Sequence, residues 1–195
     1  AARRGTIRKL LARPRQPRSV YFWGGVGRGK SFLMDCFYDS VPYRRKRRVH
    51  FHAFMQEVQN DLRKFNNAPD PLQKVADRIS EHTRLLCFDE FHVSDIADAM
   101  ILGRLLDALF DRGVIFVMTS NYPPDGLYPN GLMRINFLPT IEKIKQRFDV
   151  IERRIKERTA ACEKDGLRCR VASFFEGLKY YEIAQLEIND VRLVH

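Results

Sequence analysis

The chain has 195 residues, of which 45% are hydrophobic and 30% charged; that composition describes a globular domain and excludes disordered, collagenous and low-complexity classes. Its longest apolar runs, such as Val114–Met118, fall far short of the roughly 18–20 residues that a membrane-spanning helix needs. The net charge of +10 is uneven: residues 1–48 hold 14 Lys and Arg against Asp35 and Asp39, and the remainder is near neutral. Two clusters make the excess, Arg3, Arg4, Arg8, Lys9, Arg13, Arg15 and Arg18, then Arg44, Arg45, Lys46, Arg47 and Arg48. Such a patch suits nucleic acid, an anionic membrane surface or an acidic protein, and equally a solvated surface beside a phosphate site. The first residue is Ala1 and no signal-peptide pattern follows, so the chain is expected to start inside a longer gene product.

In chain order, Ser19–Trp23 reads as a strand that ends at a glycine-rich turn, and Ser31–Tyr38 as a helix. Val49–Phe51 is expected as a second strand, and helical patterns cover Ala53–Lys64 and Pro71–His82. Leu85–Phe88 and Val114–Met118 are nearly all apolar, the pattern of strands covered on both faces. Between them Asp95–Asp111 reads as a helix with Ser94 as N-cap and a stop at Gly113. Pro123–Pro139 is turn-rich, and Thr140–Phe148 reads as a last helix. Strands alternating with helices predict βαβ units and a parallel sheet, hence an α/β fold.

Cysteines 36, 87, 162 and 169 form no CxxC pair, which argues against a zinc site or a dithiol motif and for a reducing compartment. Cys87, inside an apolar run, reads as a small buried hydrophobe. His50 and His52 lie two apart in a β-like run and would face one side of a strand; no third ligand has suitable spacing, which favours a structural role over a metal site.

The chemistry begins where the first strand ends. Gly24-Gly25-Val26-Gly27-Arg28-Gly29-Lys30-Ser31 fits G-x-x-x-x-G-K-[ST] at every specified position, between a strand and a helix. The glycines let backbone N–H groups wrap phosphates, and the helix N-terminus adds its positive end. Lys30 would reach the β/γ-phosphates and Ser31 would ligate Mg²⁺. Leu85–Phe88 then runs into Asp89 and Glu90. Asp89 suits a hard metal ion, and Glu90 suits a general base that polarises the attacking water. The strand Val114–Met118 leads to Asn121. Parallel strands end on one edge, so Asn121 should stand beside Asp89 and Glu90, where its amide can orient the attacking water and register the γ-phosphate; the alternative is a turn-forming residue before Pro123. Arg134, in the turn-rich segment, suits an arginine finger for a neighbouring subunit, although a surface arginine has the same sequence context.

Four runs, GGVGRGKSFLMD (24–35), RVHFHAFMQE (48–57), CFDEFHVSDIADAMIL (87–102) and TSNYPPDGLYPNGLMRINFLP (119–139), resemble the ZapE family of AAA+ ATPases, which includes mitochondrial AFG-type relatives. The resemblance implies an ATP- and Mg²⁺-dependent ATPase core over residues 19–150, with a basic segment at 1–18 and a partial helical lid at 151–195. It makes Lys30 and Ser31 Walker A residues, Asp89 and Glu90 Walker B, Asn121 sensor 1 and Arg134 the finger. It further implies a ring-like homo-oligomer in the cytoplasm, peripheral at the inner membrane or division site, with a protein client such as FtsZ. After Val150 the likeness weakens: the family's DYR- and RRF-type stretches are missing, and Phe174-Phe175, Tyr180–Ala184 and strand-like Val191–Val194 recover a faint echo. Two classes remain open. One is a remodelling ATPase, for which Glu90 and Arg134 are needed; the other is a nucleic-acid-binding AAA+ protein of helicase-loader type, in which the basic clusters grip phosphates.

Overall fold

The computed structural model describes residues 17–26 and 29–152. The N-terminal cluster from Arg3 to Arg15, Gly27 and Arg28 of the glycine loop, and the expectations for residues 153–195 lie outside the described residues.

Five strands, β1 (Ser19–Trp23), β2 (Lys46–His50), β3 (Leu85–Asp89), β4 (Ile115–Ser120) and β5 (Phe148–Glu152), form one parallel sheet in the order β2-β3-β4-β1-β5. The helices are α1 (Lys30–Ser40), α2 (Phe51–Lys64), α3 (Pro71–His82), α4 (Ile96–Asp111) and α5 (Leu138–Arg147), with short 3-10 turns at Pro124–Gly126 and Arg134–Asn136.

The period of two along each central strand sorts side chains onto two cores. Tyr21, Leu86, Phe88, Phe116 and Met118 face a large core closed by α2, α3, α4 and α5. Val20, Leu85, Cys87, Ile115 and Val117 face a smaller one under Met34 and Phe37 of α1. Both faces of β3 and β4 are therefore buried, as their apolar runs require. Cys87 is fully buried and desolvation pushes its thiol up to about 12, against the charges of Arg48 and Lys46; it behaves as the packing residue expected.

Helix ends follow local chemistry. Asp70 caps α3, accepting from Gln73 N, with Pro71 in the first turn. The cap of α4 is Asp95, which accepts from the N–H groups of Ala97 and Asp98, rather than the expected Ser94. Gly113 ends that segment at φ +76°, where a Cβ would also meet the Arg84 guanidinium at 2.6 Å.

Several boundaries differ from the sequence expectations, most by one or two residues, and those around β2 and β5 differ most. β2 starts three residues earlier and stops at His50, because its flanks are basic residues satisfied by partners on either face rather than an apolar run. Phe51 opens α2, its ring packed 5.6 Å from Phe88 and 4.5 Å from Phe91. His50 and His52 therefore do not share a strand face: His50 closes β2, and His52 lies in α2 within 3.1 Å of Gln56 Nε2. The last helix starts at Leu138 and yields Phe148 to β5, an edge strand on β1 whose Asp149 pairs with Arg18. Among the described residues no helix is long and apolar enough to cross a membrane.

Candidate active site

β1, β3 and β4 bring their carboxyl ends to one edge, beside the point where the chain reverses its direction of strand addition; open parallel sheets place ligands there. Gly24 N–H donates to the Ser120 carbonyl at 3.2 Å, tying the start of the glycine loop to β4. Gly29 caps α1 in the left-handed region (φ 65°), a conformation that favours glycine. No side chain caps α1 and no acidic residue stands in its first turn, so the positive helix end faces the edge without a built-in anion.

Lys30 folds back over the loop. Its ammonium donates to Gly24 O (2.7 Å), Gly25 O (2.9 Å) and Asn121 Oδ1 (2.9 Å). Ser31 Oγ donates to Asp89 Oδ1 at 2.9 Å. Asp89 also accepts from Thr119 Oγ1 on Oδ1 (2.8 Å) and from Arg48 on Oδ2 (2.7 Å). Burial alone would raise its carboxyl, but the hydrogen bonds from Thr119, Ser31 and Arg48, with the Arg48 charge, hold it below the ordinary carboxylate range. The ionised carboxylate and the Ser31 hydroxyl are hard oxygen donors on one side of the cleft, a set that fits Mg²⁺.

Glu90 breaks from the strand at φ 54°, in the left-handed region. Its N–H donates to Thr119 Oγ1 at 3.2 Å and Phe91 N–H donates to Thr119 O at 2.7 Å, so β4 imposes the turn that swings Glu90 outward. Its side chain is 76% exposed, with His50 Nδ1 3.9 Å from Oε2. Non-glycine residues with this backbone collect at functional sites, where surrounding contacts offset the strain. Val26, Lys30, Ser31, Asp89, Glu90 and Asn121 line one cleft of about 210 Å³, together with Gly29, Phe32, Thr119 and Ser120.

Arg134 does not line that cleft. It sits in the turn Arg134–Asn136 and donates through Nε to Tyr128 O (3.0 Å) and through Nη2 to Asp125 O (2.9 Å). Exposed Leu132, Met133, Ile135 and Leu138 surround it in sequence. Tyr128 and Met133, the other two non-glycine residues with positive φ among the described ones, belong to the same segment.

Sequence reasoning missed Thr119 and Arg48. Thr119 lies in the same run as Asn121 and its hydroxyl serves both Asp89 and Glu90, a strand-end signal that the pattern offered. Arg48 stood within a basic run read as a surface for nucleic acid, an anionic membrane or an acidic protein, or as a solvated face. Three members of that run are turned inward or sideways instead: Lys46 donates to Val41 O (2.7 Å) and stacks over Tyr38, Arg47 donates to Glu57 Oε1 (3.2 Å), and Arg48 bonds Asp35 and Asp89.

Residues 1–156 match the family model of the AFG1-like ATPases, and residues 137–195 match that of peptidase S46. Over 134 residues the chain is 58% identical to the cell division protein ZapE of Escherichia coli strain K12, covering 69% of this chain and 36% of that protein. Over 50 residues, 25% of this chain, it is 48% identical to the Asp/Glu-specific dipeptidyl-peptidase of Shewanella putrefaciens, of which it covers 7%. Among solved structures, the DnaC helicase loader superposes with a TM-score of 0.51 at 14% identity, over 76% of this chain and 86% of that one. AMPPCP-bound DnaA from Aquifex aeolicus gives 0.53 at 15%, over 98% and 61%. Those two share the fold, the P-loop AAA+ sheet with flanking helices. The chain spans a little over a third of the length of ZapE. The match to the AFG1-like ATPases ends at residue 156, and the peptidase match runs over residues 137–195, which include the segment 170–195.

Proposed function

The chain belongs to the AFG1-like ATPases, and from that premise we propose that residues 19–150 form the core of a Mg²⁺-dependent ATP phosphohydrolase. The observation that carries this is convergence: Lys30 and Ser31 from the loop after β1, Asp89 and Glu90 from β3, and Asn121 from β4 line one cleft. These side chains are up to 91 residues apart in sequence. A cleft of about 210 Å³ is smaller than the roughly 300–1,000 Å³ of whole-ligand pockets; it suits a phosphate chain and a metal ion, with the base outside it.

In this mechanism the N–H groups at the start of α1 and the Lys30 ammonium hold the β- and γ-phosphates, Lys30 exchanging its carbonyl partners for phosphate oxygens. Ser31 Oγ and Asp89 Oδ1 would hold Mg²⁺, which supplies charge neutralisation between the phosphates. Glu90, exposed at the rim, accepts the proton of the attacking water, and Asn121, released from Lys30, orients that water. Among the described residues that line the cleft Lys30 is the one cation, and Arg134 is tied to its own loop away from it. We therefore assign Arg134 to a neighbouring copy's site in a ring-like homo-oligomer. The likeness to ZapE supports a protein client in bacterial cell division, such as FtsZ, and a place at the division site.

The test is phosphate release from Mg·ATP against protein concentration, with Glu90→Gln as the blank. Specific activity that rises with concentration and vanishes in the variant supports an ATPase completed by assembly; flat or absent activity sinks it. Arg134→Ala should lower turnover by about 10³-fold or more and recover in part when mixed with Glu90→Gln, which still donates its arginine.

The helicase-loader alternative is favoured by the DnaC likeness alone, and the inward partners of Lys46, Arg47 and Arg48 weaken it. It predicts DNA binding whose log affinity falls against log salt with a slope near −0.9 per phosphate contacted. For residues 151–195 the lid proposal competes with the peptidase-family match, which spans residues 137–195. Deleting residues 157–195 separates the two: a lid predicts loss of nucleotide affinity, and a segment foreign to the ATPase predicts none.

A further inference from the structure

Arg48 stands behind the proposed metal ligand. It lies in β2 opposite Cys87 of β3, and its guanidinium is shared between two carboxylates from different elements. One terminal nitrogen donates to Asp89 Oδ2 at 2.7 Å and the other to Asp35 in α1. The remaining nitrogen, Nε, is buried with no hydrogen-bond partner among the described residues, so the two carboxylates by themselves set the position of the group. The two oxygens of Asp89 thereby have separate partners. Oδ2 is taken by Arg48, while Oδ1 is turned to Ser31 and Thr119.

We propose that Arg48 is a positioning residue for Asp89: by holding Oδ2 it keeps Oδ1 directed at the metal position beside Ser31, and through Asp35 it ties that carboxylate to the helix that carries Lys30 and Ser31. The proposal rests on Ser31 and Asp89 being the metal ligands. A carboxylate whose far oxygen is free rotates about its Cβ–Cγ bond and presents the wrong lone pairs for part of the time. Groups that orient a metal ligand in this way contribute about 10–100-fold to metal affinity. The planar fork of arginine bridges two carboxylates in fixed geometry, which the point charge of lysine reproduces only in part. Charge alone predicts the opposite effect. Removing a cation from beside Asp89 would strengthen Mg²⁺ binding if Arg48 were a competitor rather than a support.

The experiment measures the affinity of a fluorescent ATP analogue in Mg²⁺ and in EDTA, and Mn²⁺ uptake with the nucleotide by the loss of the free-ion resonance signal. It compares the 195-residue chain with Arg48→Gln, Arg48→Lys and Asp35→Asn. Arg48→Gln should lose about 10-fold or more of Mn²⁺ affinity and of the Mg²⁺-dependent gain in nucleotide affinity, with binding in EDTA unchanged. Arg48→Lys should recover part of the loss. Asp35→Asn, which leaves the contact with Asp89 in place, should lose less in the same direction and guards against an Arg48 variant that fails to fold. Equal losses with and without metal, no loss, or tighter metal binding would each overturn the proposal. A parent chain that gains nothing from Mg²⁺ would overturn the metal assignment itself, a result distinct from failure of the Arg48 role alone.

Discussion

The two faces of the sheet differ in what they hold. On one, α2, α3, α4 and α5 close over an aromatic core in which Phe51, Phe54, Phe88, Phe91, Phe110, Phe116 and Phe148 touch in chain, with centroids 4.5–6.2 Å apart. On the other, α1 packs Met34 and Phe37 on a smaller set of strand residues. The heavy face carries most of the buried apolar area and so most of the hydrophobic stabilisation. The light face carries the helix whose first turn closes the phosphate loop. Its attachment is supplemented by the Arg48 ion pairs to Asp35 and Asp89. Chemistry sits above the more lightly packed face, where segments that must rearrange around a ligand are commonly found.

That contrast can be broken. Phe88→Ala should cost about 3–5 kcal/mol in urea unfolding, and Met34→Ala nearer 2 kcal/mol, because α1 can settle into the space left while the ring cluster cannot. Equal losses on the two faces would refute the division. Lys30→Ala should do the reverse, lowering turnover about 10²–10³-fold while the urea midpoint hardly moves; a variant that unfolds early would make Lys30 a structural residue.

Smaller effects sharpen the picture. Glu57 on α2 pairs with Arg47 and Arg78, and its carboxyl is held below the usual range chiefly by the Arg47 hydrogen bond, with burial opposing and both charges assisting. A group with a lowered folded pKa contributes stability that is complete above its unfolded value, about 4.3, and is lost as pH falls through the folded value. Glu57→Gln should therefore cost about 1 kcal/mol at pH 7 and progressively less below about pH 4. A cost that grows toward acid would contradict the sign. Glu90→Gly should raise stability by about 0.5–1 kcal/mol through relief of the left-handed backbone while abolishing turnover. Unchanged stability would mean that the turn set by Thr119 carries no strain.

Much of the architecture was legible because it follows local rules. Ser19–Trp23 and Pro71–His82 appear with the expected bounds, since the first is a short apolar run closed by a glycine-rich turn and the second has helical period with Asp70-Pro71 marking its start. The strand Phe148–Glu152 was not legible: with one neighbour in the sheet and acids at both its second and last positions, it offers no apolar run, and its pairing with β1 is 129 residues distant in sequence. The same limit hid the first three residues of β2, Lys46, Arg47 and Arg48, which are basic and find their partners in Tyr38, Glu57, Asp35 and Asp89.

By itself the sequence determined the parallel α/β fold, the phosphate-loop motif and the place of Asp89 and Glu90 at a strand end, because each depends on residues close together along the chain: glycines where a loop must bend tightly, apolar runs where both faces are covered, carboxylates where a strand ends. Only the tertiary structure decided which carboxylate oxygen faces Ser31, that Lys30 rests on Asn121, that Thr119 bonds both Asp89 and Glu90, and that Arg48 bonds Asp89. Those relations join segments tens of residues apart through the register of a sheet, and register is a property of the folded whole, selected by burial on both faces at once.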